Sequence, residues 1–157
     1  MSENFFLKID GVEGDARDPN HKGEIAVLSW SHSFNQPASP TRSSSGGAVE
    51  QANHADFSFV KYVDGASMEL LRRAWSGQQS AKVVFTAYRA DGDNRPARYL
   101  LIEFSHVIVS NLSISGGAGD LPTETVTLSY GTVQYTYFRS SDDRKSVKHD
   151  MLKQTVS

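Results

Sequence analysis

The stretch Glu24-Ile25-Ala26-Val27-Leu28-Ser29-Trp30-Ser31-His32-Ser33-Phe34 alternates without a break through its second half. Leu28, Trp30, His32 and Phe34 fall on one side and Ser29, Ser31 and Ser33 on the other, the two-residue period of a strand with one buried face. A single strand is expected here, with its aromatic side packed inward and its other side small and uncharged.

Strand signals recur on both sides of it. Asn4-Phe5-Phe6-Leu7-Lys8-Ile9 has aromatic and β-branched content and stops at the turn pair Asp10-Gly11, and the polar run from Gly14 to Gly23 reads as a loop. Alternation returns from Asp56 to Tyr62. Ala81 to Ala90 and Arg98 to Ser105 flank the turn Asp91-Gly92-Asp93-Asn94, and Val107 to Ile114 reads as a further strand. Glu124–Tyr130 and Thr132–Phe138 alternate about Gly131 as a final pair.

One helix stands out. Asp64 or Ser67 can accept orphan amide hydrogens at its start, and Gly77 closes it. Met68, Leu71 and Trp75, with Leu70 and Ala74 beside them, form an apolar stripe at three- and four-residue spacing, expected to dock on the parent sheet. The fold predicted is mainly β: a compact antiparallel β-barrel of two packed sheets, with one α-helix of about three turns around residues 65–77. A barrel domain over residues 1–139 and a polar, partly mobile tail over 140–157 complete the organisation. The Pro- and Ser-rich segment 36–54 is a linker by composition. Strands on both sides make it instead a long loop within one domain, a kind usually functional or disordered.

Composition narrows the chemistry. At 157 residues a single core suffices, because a chain of this size buries roughly 68–70% of its unfolded surface. The cysteine count is zero, which removes thiol nucleophiles, disulfides and thiolate metal sites. Sixteen Lys and Arg against eighteen Asp and Glu are scattered, with no electrostatic footprint for nucleic acid. The apolar runs are far shorter than the ~20 residues a membrane helix needs. Met1-Ser2-Glu3-Asn4 places an acid where a secretory signal has its positive region, so synthesis in the cytoplasm and export without a cleaved signal are expected.

Apparent motifs dissolve on inspection. The five histidines share no metal-ligand spacing, and His32, on the aromatic side beside Trp30, reads as a satisfied core or interface residue. Asp91 and Asp93 imitate a calcium loop, yet Arg95 and Pro96 stand where an oxygen donor and a glycine belong. Gly116-Gly117-Ala118-Gly119 lacks the Lys-Ser/Thr pair of a phosphate cradle, and there is no Gly-x-Ser-x-Gly elbow. No catalytic, metal or cofactor site is predicted.

Four stretches carry a resemblance. They are Phe6-Leu7-Lys8-Ile9-Asp10-Gly11-Val12 with Gly14; His21 followed by Glu24-Ile25 and Val27-Leu28-Ser29-Trp30-Ser31; Phe57 through Lys61 with Asp64-Gly65-Ala66-Ser67; and Ser110 through Gly117 leading to Leu121-Pro122-Thr123-Glu124-Thr125-Val126-Thr127-Leu128. In this order and spacing the chain resembles the haemolysin co-regulated protein (Hcp) family, the tube proteins of bacterial type VI secretion systems, from about residue 4 to about residue 138. The resemblance implies a non-enzymatic homohexamer whose rings stack into an exported tube, tipped by a spike protein, driven by a contractile sheath and able to carry effector proteins in its lumen. It places Ser31 on the lumen side, with Ser29 and Ser33 in the same row. It implies too that the loop of about residues 40–54, including Arg42, Ser43, Ser44, Ser45, Gly46 and Gly47, touches a neighbouring subunit or ring. Two rival readings are a monomeric β-barrel that binds a small ligand inside, and a hydrolase built from scattered Ser, His and Asp.

Overall fold

The computed structural model describes residues 4–35, 53–90, 96–140, 142–153 and 155–157. The loop residues Arg42, Ser43, Ser44, Ser45, Gly46 and Gly47 and the turn Asp91–Asn94 lie outside them. The elements run β1 (Phe5–Ile9), β2 (Ile25–Ala26), β3 (Ser29–Ser31), β4 (Phe34–Asn35), β5 (Asn53–His54), β6 (Phe57–Tyr62), α1 (Ser67–Ser76), β7 (Ser80–Ala90), β8 (Pro96–Ser115), β9 (Thr123–Ser129), β10 (Thr132–Phe138), β11 (Arg144–Asp150) and β12 (Thr155–Val156). All ladders are antiparallel. One sheet has the order β12-β11-β10-β8-β7-β1-β2, the second has the order β3-β6-β9-β8, and β4 pairs with β5.

The mainly β, two-sheet architecture matches the sequence reading, and β8 is what joins the sheets. Its first half pairs with β7 and β10, and from Ile108 onward it pairs with β9. Between the halves sits His106 at φ 54, a left-handed conformation uncommon outside glycine. The two strands expected over 98–105 and 107–114 are therefore one strand bent at a corner. Gly131 marks the matching corner directly against it, where an added Cβ would lie 3.1 Å from His106 Cβ, and its amide donates to the Ser105 carbonyl at 2.9 Å. In consequence β9 and β10 do not pair with each other as expected: β9 joins β6 and β8, while β10 joins β8 and β11.

The strand expected over 24–34 is likewise divided. The Val27 amide donates to Phe5 of β1 at 3.0 Å and the Leu28 amide to Val60 of β6 at 2.8 Å, so the chain steps from one sheet to the other within two residues. These bonds bridge the seam, and no continuous ladder closes the barrel there. The step turns Leu28 outward and leaves Phe34 exposed, while Trp30 and His32 remain half-buried on the inner side. The aromatic row is thus inward only at its centre. Trp30 packs against Phe57 with centroids 5.9 Å apart and against Phe85 at 4.9 Å, and Phe57, Phe59, Phe85 and Phe104 fill the core with Leu7, Ile25, Ile102 and Leu128.

Helix α1 covers one side of this core. Leu70 and Ala66 are fully buried, and Gly77 ends the helix at φ 72 with its amide on the Arg73 carbonyl. The Asp64 carboxylate accepts from the Ala66 amide and the Ser67 hydroxyl from the Asp64 amide, each at 2.9 Å, so these residues fix the entry turn. The docking face differs from the expected stripe. Met68 is 64% exposed and Trp75 80%, whereas Arg73 is buried with its guanidinium on Ser80 Oγ at 2.6 Å. This bond and an ion pair to Glu69 at 3.2 Å let a charged residue occupy the inner face that the apolar stripe was expected to take. The polar residues after Ser140 also do more than form a tail: β11 runs beside β10 over seven residue pairs.

Candidate functional site

The second sheet presents three cross-strand rows on its outer face. Ser31 of β3 stands opposite Ser58 of β6, Ser58 opposite Thr127 of β9, and Thr127 opposite Asn111 of β8. The next row is Ser29, Val60, Thr125 and Ser113, and the third is Tyr62, Thr123 and Ser115. Alternation fixes this arrangement, because the intervening residues Trp30, Phe59, Val126 and Leu112 align across the same strands and point into the barrel.

The face is hydroxylated and carries no fixed charge in these rows. The sheet's ionic residues, Lys61 and Glu124, are paired in register and fully buried on the inner side. Ser58 and Thr127 hydroxyls lie 3.3 Å apart, and at the rim Ser110 donates to the Asp56 carboxylate at 2.9 Å. Such a surface offers donors and acceptors to a partner without selecting by charge sign.

Of the sequence-predicted residues, Ser29 and Ser31 lie on this face and are exposed. Ser33 is exposed too but stands past the end of β3, where its carbonyl accepts from the Ala55 amide at 3.0 Å. Sequence reasoning missed Ser58, Asn111, Ser113, Thr123, Thr125 and Thr127. The same alternation of hydroxyl and apolar residues in 57–62, 111–115 and 123–129 was the signal that places them.

His32 lies beside this face, on its inner side. Its Nδ1 meets the Tyr135 hydroxyl at 2.6 Å and its Nε2 meets the Tyr130 hydroxyl, with Phe57 and Phe104 against the ring. This is the satisfied core histidine expected from sequence. Burial pushes the Tyr135 hydroxyl from 10.0 up to about 12. Burial also raises Tyr130, with Tyr135 and Asp56 adding to the effect.

The described residues thus form an antiparallel two-sheet β-barrel fold with a flanking helix and an uncharged, hydroxylated outer sheet face. The family model described as "Type VI secretion system effector, Hcp" matches residues 6–137. The chain belongs to the Hcp family of type VI secretion proteins. It is similar to Protein hcp1 of Pseudomonas aeruginosa, with 37% identity over 138 residues that cover 87% of this chain and 84% of the relative. Among solved structures it is similar to Hcp1 from Salmonella typhimurium, at TM-score 0.84 and 30% identity, covering 100% of both chains. A type VI secretion system effector from Yersinia pestis superposes at TM-score 0.79 with 31% identity, covering 94% of this chain and 99% of the other. The chain is accordingly a secreted structural protein of the type VI secretion tube.

Proposed function

We propose that six copies of this chain close into a ring, that rings stack into the tube, and that the hydroxylated face of the second sheet lines the channel and holds effector proteins. The observation that carries this reading is the register-aligned, uncharged face itself. Ser29 and Ser31 belong to it, with Ser33 at its margin. A lumen that must both retain and release cargo needs many weak contacts, and neutral hydrogen bonds, worth about 0.5–1.5 kcal/mol each, supply them. The protein acts as conduit and carrier, not as catalyst. A spike protein at the tip and a contractile sheath around the tube are its further partners. It is made in the bacterial cytoplasm and exported by the type VI secretion system. The loop of residues 40–54, with Arg42 and Ser43 to Gly47, reaches the neighbouring ring in this reading. The ligand-binding alternative is disfavoured by the aromatic filling of the barrel, since Trp30, Phe57, Phe85 and Phe104 occupy its centre.

Light scattering coupled to size exclusion tests the assembly: a mass near six chains is expected, and a monomer at every concentration defeats the reading. Ser31→Gln is expected to keep the ring and to lower effector co-purification. Unchanged co-purification removes Ser31 from the binding surface.

A further inference from the structure

The first sheet ends in two surfaces of unlike charge. At one end β11 is held by β10 along one edge, while on its other edge β12 pairs only with its last residues. From Arg144 to Lys148 every side chain on both faces of β11 is exposed, including Arg144, Lys145 and Lys148, which with Arg139 and Lys153 outnumber the acids Asp142, Asp143 and Asp150 at this end. Apolar groups are exposed among these cations: Val147 is 54% accessible, and Leu152 and Val156 are exposed beside it. A strand with neither face covered lacks the layer that ordinarily stabilises a sheet.

At the opposite end of the same sheet, the connection from β1 to β2 is acidic and exposed. Asp10, Glu13 and Asp15 are exposed there, Asp15 while accepting from the Gly65 amide at 3.0 Å, with Lys8, Arg17 and Lys22 as exposed countercharges. The connection is held rigidly against the barrel. Gly14 approaches so closely that a Cβ would lie 2.5 Å from the Glu24 carbonyl oxygen, and His21 stacks on Phe6 at 4.3 Å while bonding Glu24 at 2.8 Å. Beside it, at the seam between the sheets, Leu28 is exposed as well.

We infer that the basic β11 end of one copy seats on the acidic 10–24 connection of the next copy, so that this pair of ends is the lateral contact between subunits. The inference rests on the assembly reading above and adds the surfaces that make it. Two unlike ends on one molecule give a head-to-tail contact, which closes into a ring when its rotation permits, whereas like ends repel. The apolar groups at both ends supply area, and the charges set orientation.

Charge reversal tests it. Lys145→Glu/Lys148→Glu and Asp10→Lys/Glu13→Lys alter only exposed side chains, and circular dichroism verifies that each variant folds. Each double variant alone is expected to need about tenfold or more higher concentration to assemble. Mixed one to one, the two are expected to recover assembly, because each reversed end then meets a complementary one. Wild-type assembly is expected to weaken between about 50 mM and about 500 mM NaCl as the Debye length shortens. An assembled wild type whose mass the Lys145→Glu/Lys148→Glu change leaves unaltered, or a mixture that stays monomeric, overturns the interface alone. A wild type that is monomeric throughout overturns the assembly reading together with it.

Discussion

Lys61 and Glu124 are fully buried on the inner side of the second sheet, where a strand pattern calls for apolar residues. The Lys61 ammonium donates to the Tyr62 carbonyl at 3.0 Å, to Asp64 at 2.7 Å and to Ser67 at 3.2 Å, and it meets Glu124 Oε1. Ser67 Oγ donates to the same carboxylate oxygen at 2.6 Å, which ties the first turn of α1 to β9. Glu124 Oε2 is buried without a hydrogen-bond partner among the described residues, so the carboxylate depends on what Oε1 receives. Removing one charge strands the other. Lys61→Met is expected to destabilise the subunit by about 3–5 kcal/mol in chemical denaturation, and Lys61→Met/Glu124→Leu to regain most of that loss. A double variant as unstable as the single one would show that the pair does more than neutralise itself. The sequence displayed both residues within family motifs, but their pairing across β6 and β9 depends on register, which no local pattern states.

At the scale of elements, α1 shows how a helical period can be right while its direction is wrong. The apolar spacing located the helix, and Gly77 located its end. Which face docks was decided by Leu70 and Ala66 on the core and by the Arg73–Ser80 bond, leaving Met68 and Trp75 outward. Leu70→Ala is therefore expected to cost about 2–5 kcal/mol through the cavity it opens. Trp75→Ser is expected to change the stability of the unassembled subunit by no more than about 0.5 kcal/mol. Equal losses in the two variants would reverse this orientation. The strands follow the same logic: periodicity revealed β1, β6, β7, β9 and β10, whereas the corners at His106 and Gly131 left no periodic signal. Both corners are places where the chain changes sheet without ceasing to alternate.

For the whole molecule, three half-buried tyrosines set the response to alkali. Burial raises the Tyr88, Tyr130 and Tyr135 hydroxyls above 10.0, Tyr135 to about 12. The folded state holds these protons more tightly than the unfolded chain does, so their stabilisation is fully present below pH 10.0 and is lost as pH rises through each raised value, about 12 for Tyr135. Thermal melts over this window are expected to fall more steeply for the wild type than for Tyr135→Phe, and parallel curves would deny the tyrosine a part. The sequence by itself determined the β class, the helix after Asp64, the family and the hydroxylated row around Ser31, because each is written in local period or in motif order. Tertiary structure alone decided which rows align into one face, which side of α1 turns inward, and that basic and acidic ends lie at opposite limits of one sheet. Those outcomes depend on strand pairing between residues far apart in the chain, where the free energy comes from register and burial and not from any neighbour in sequence.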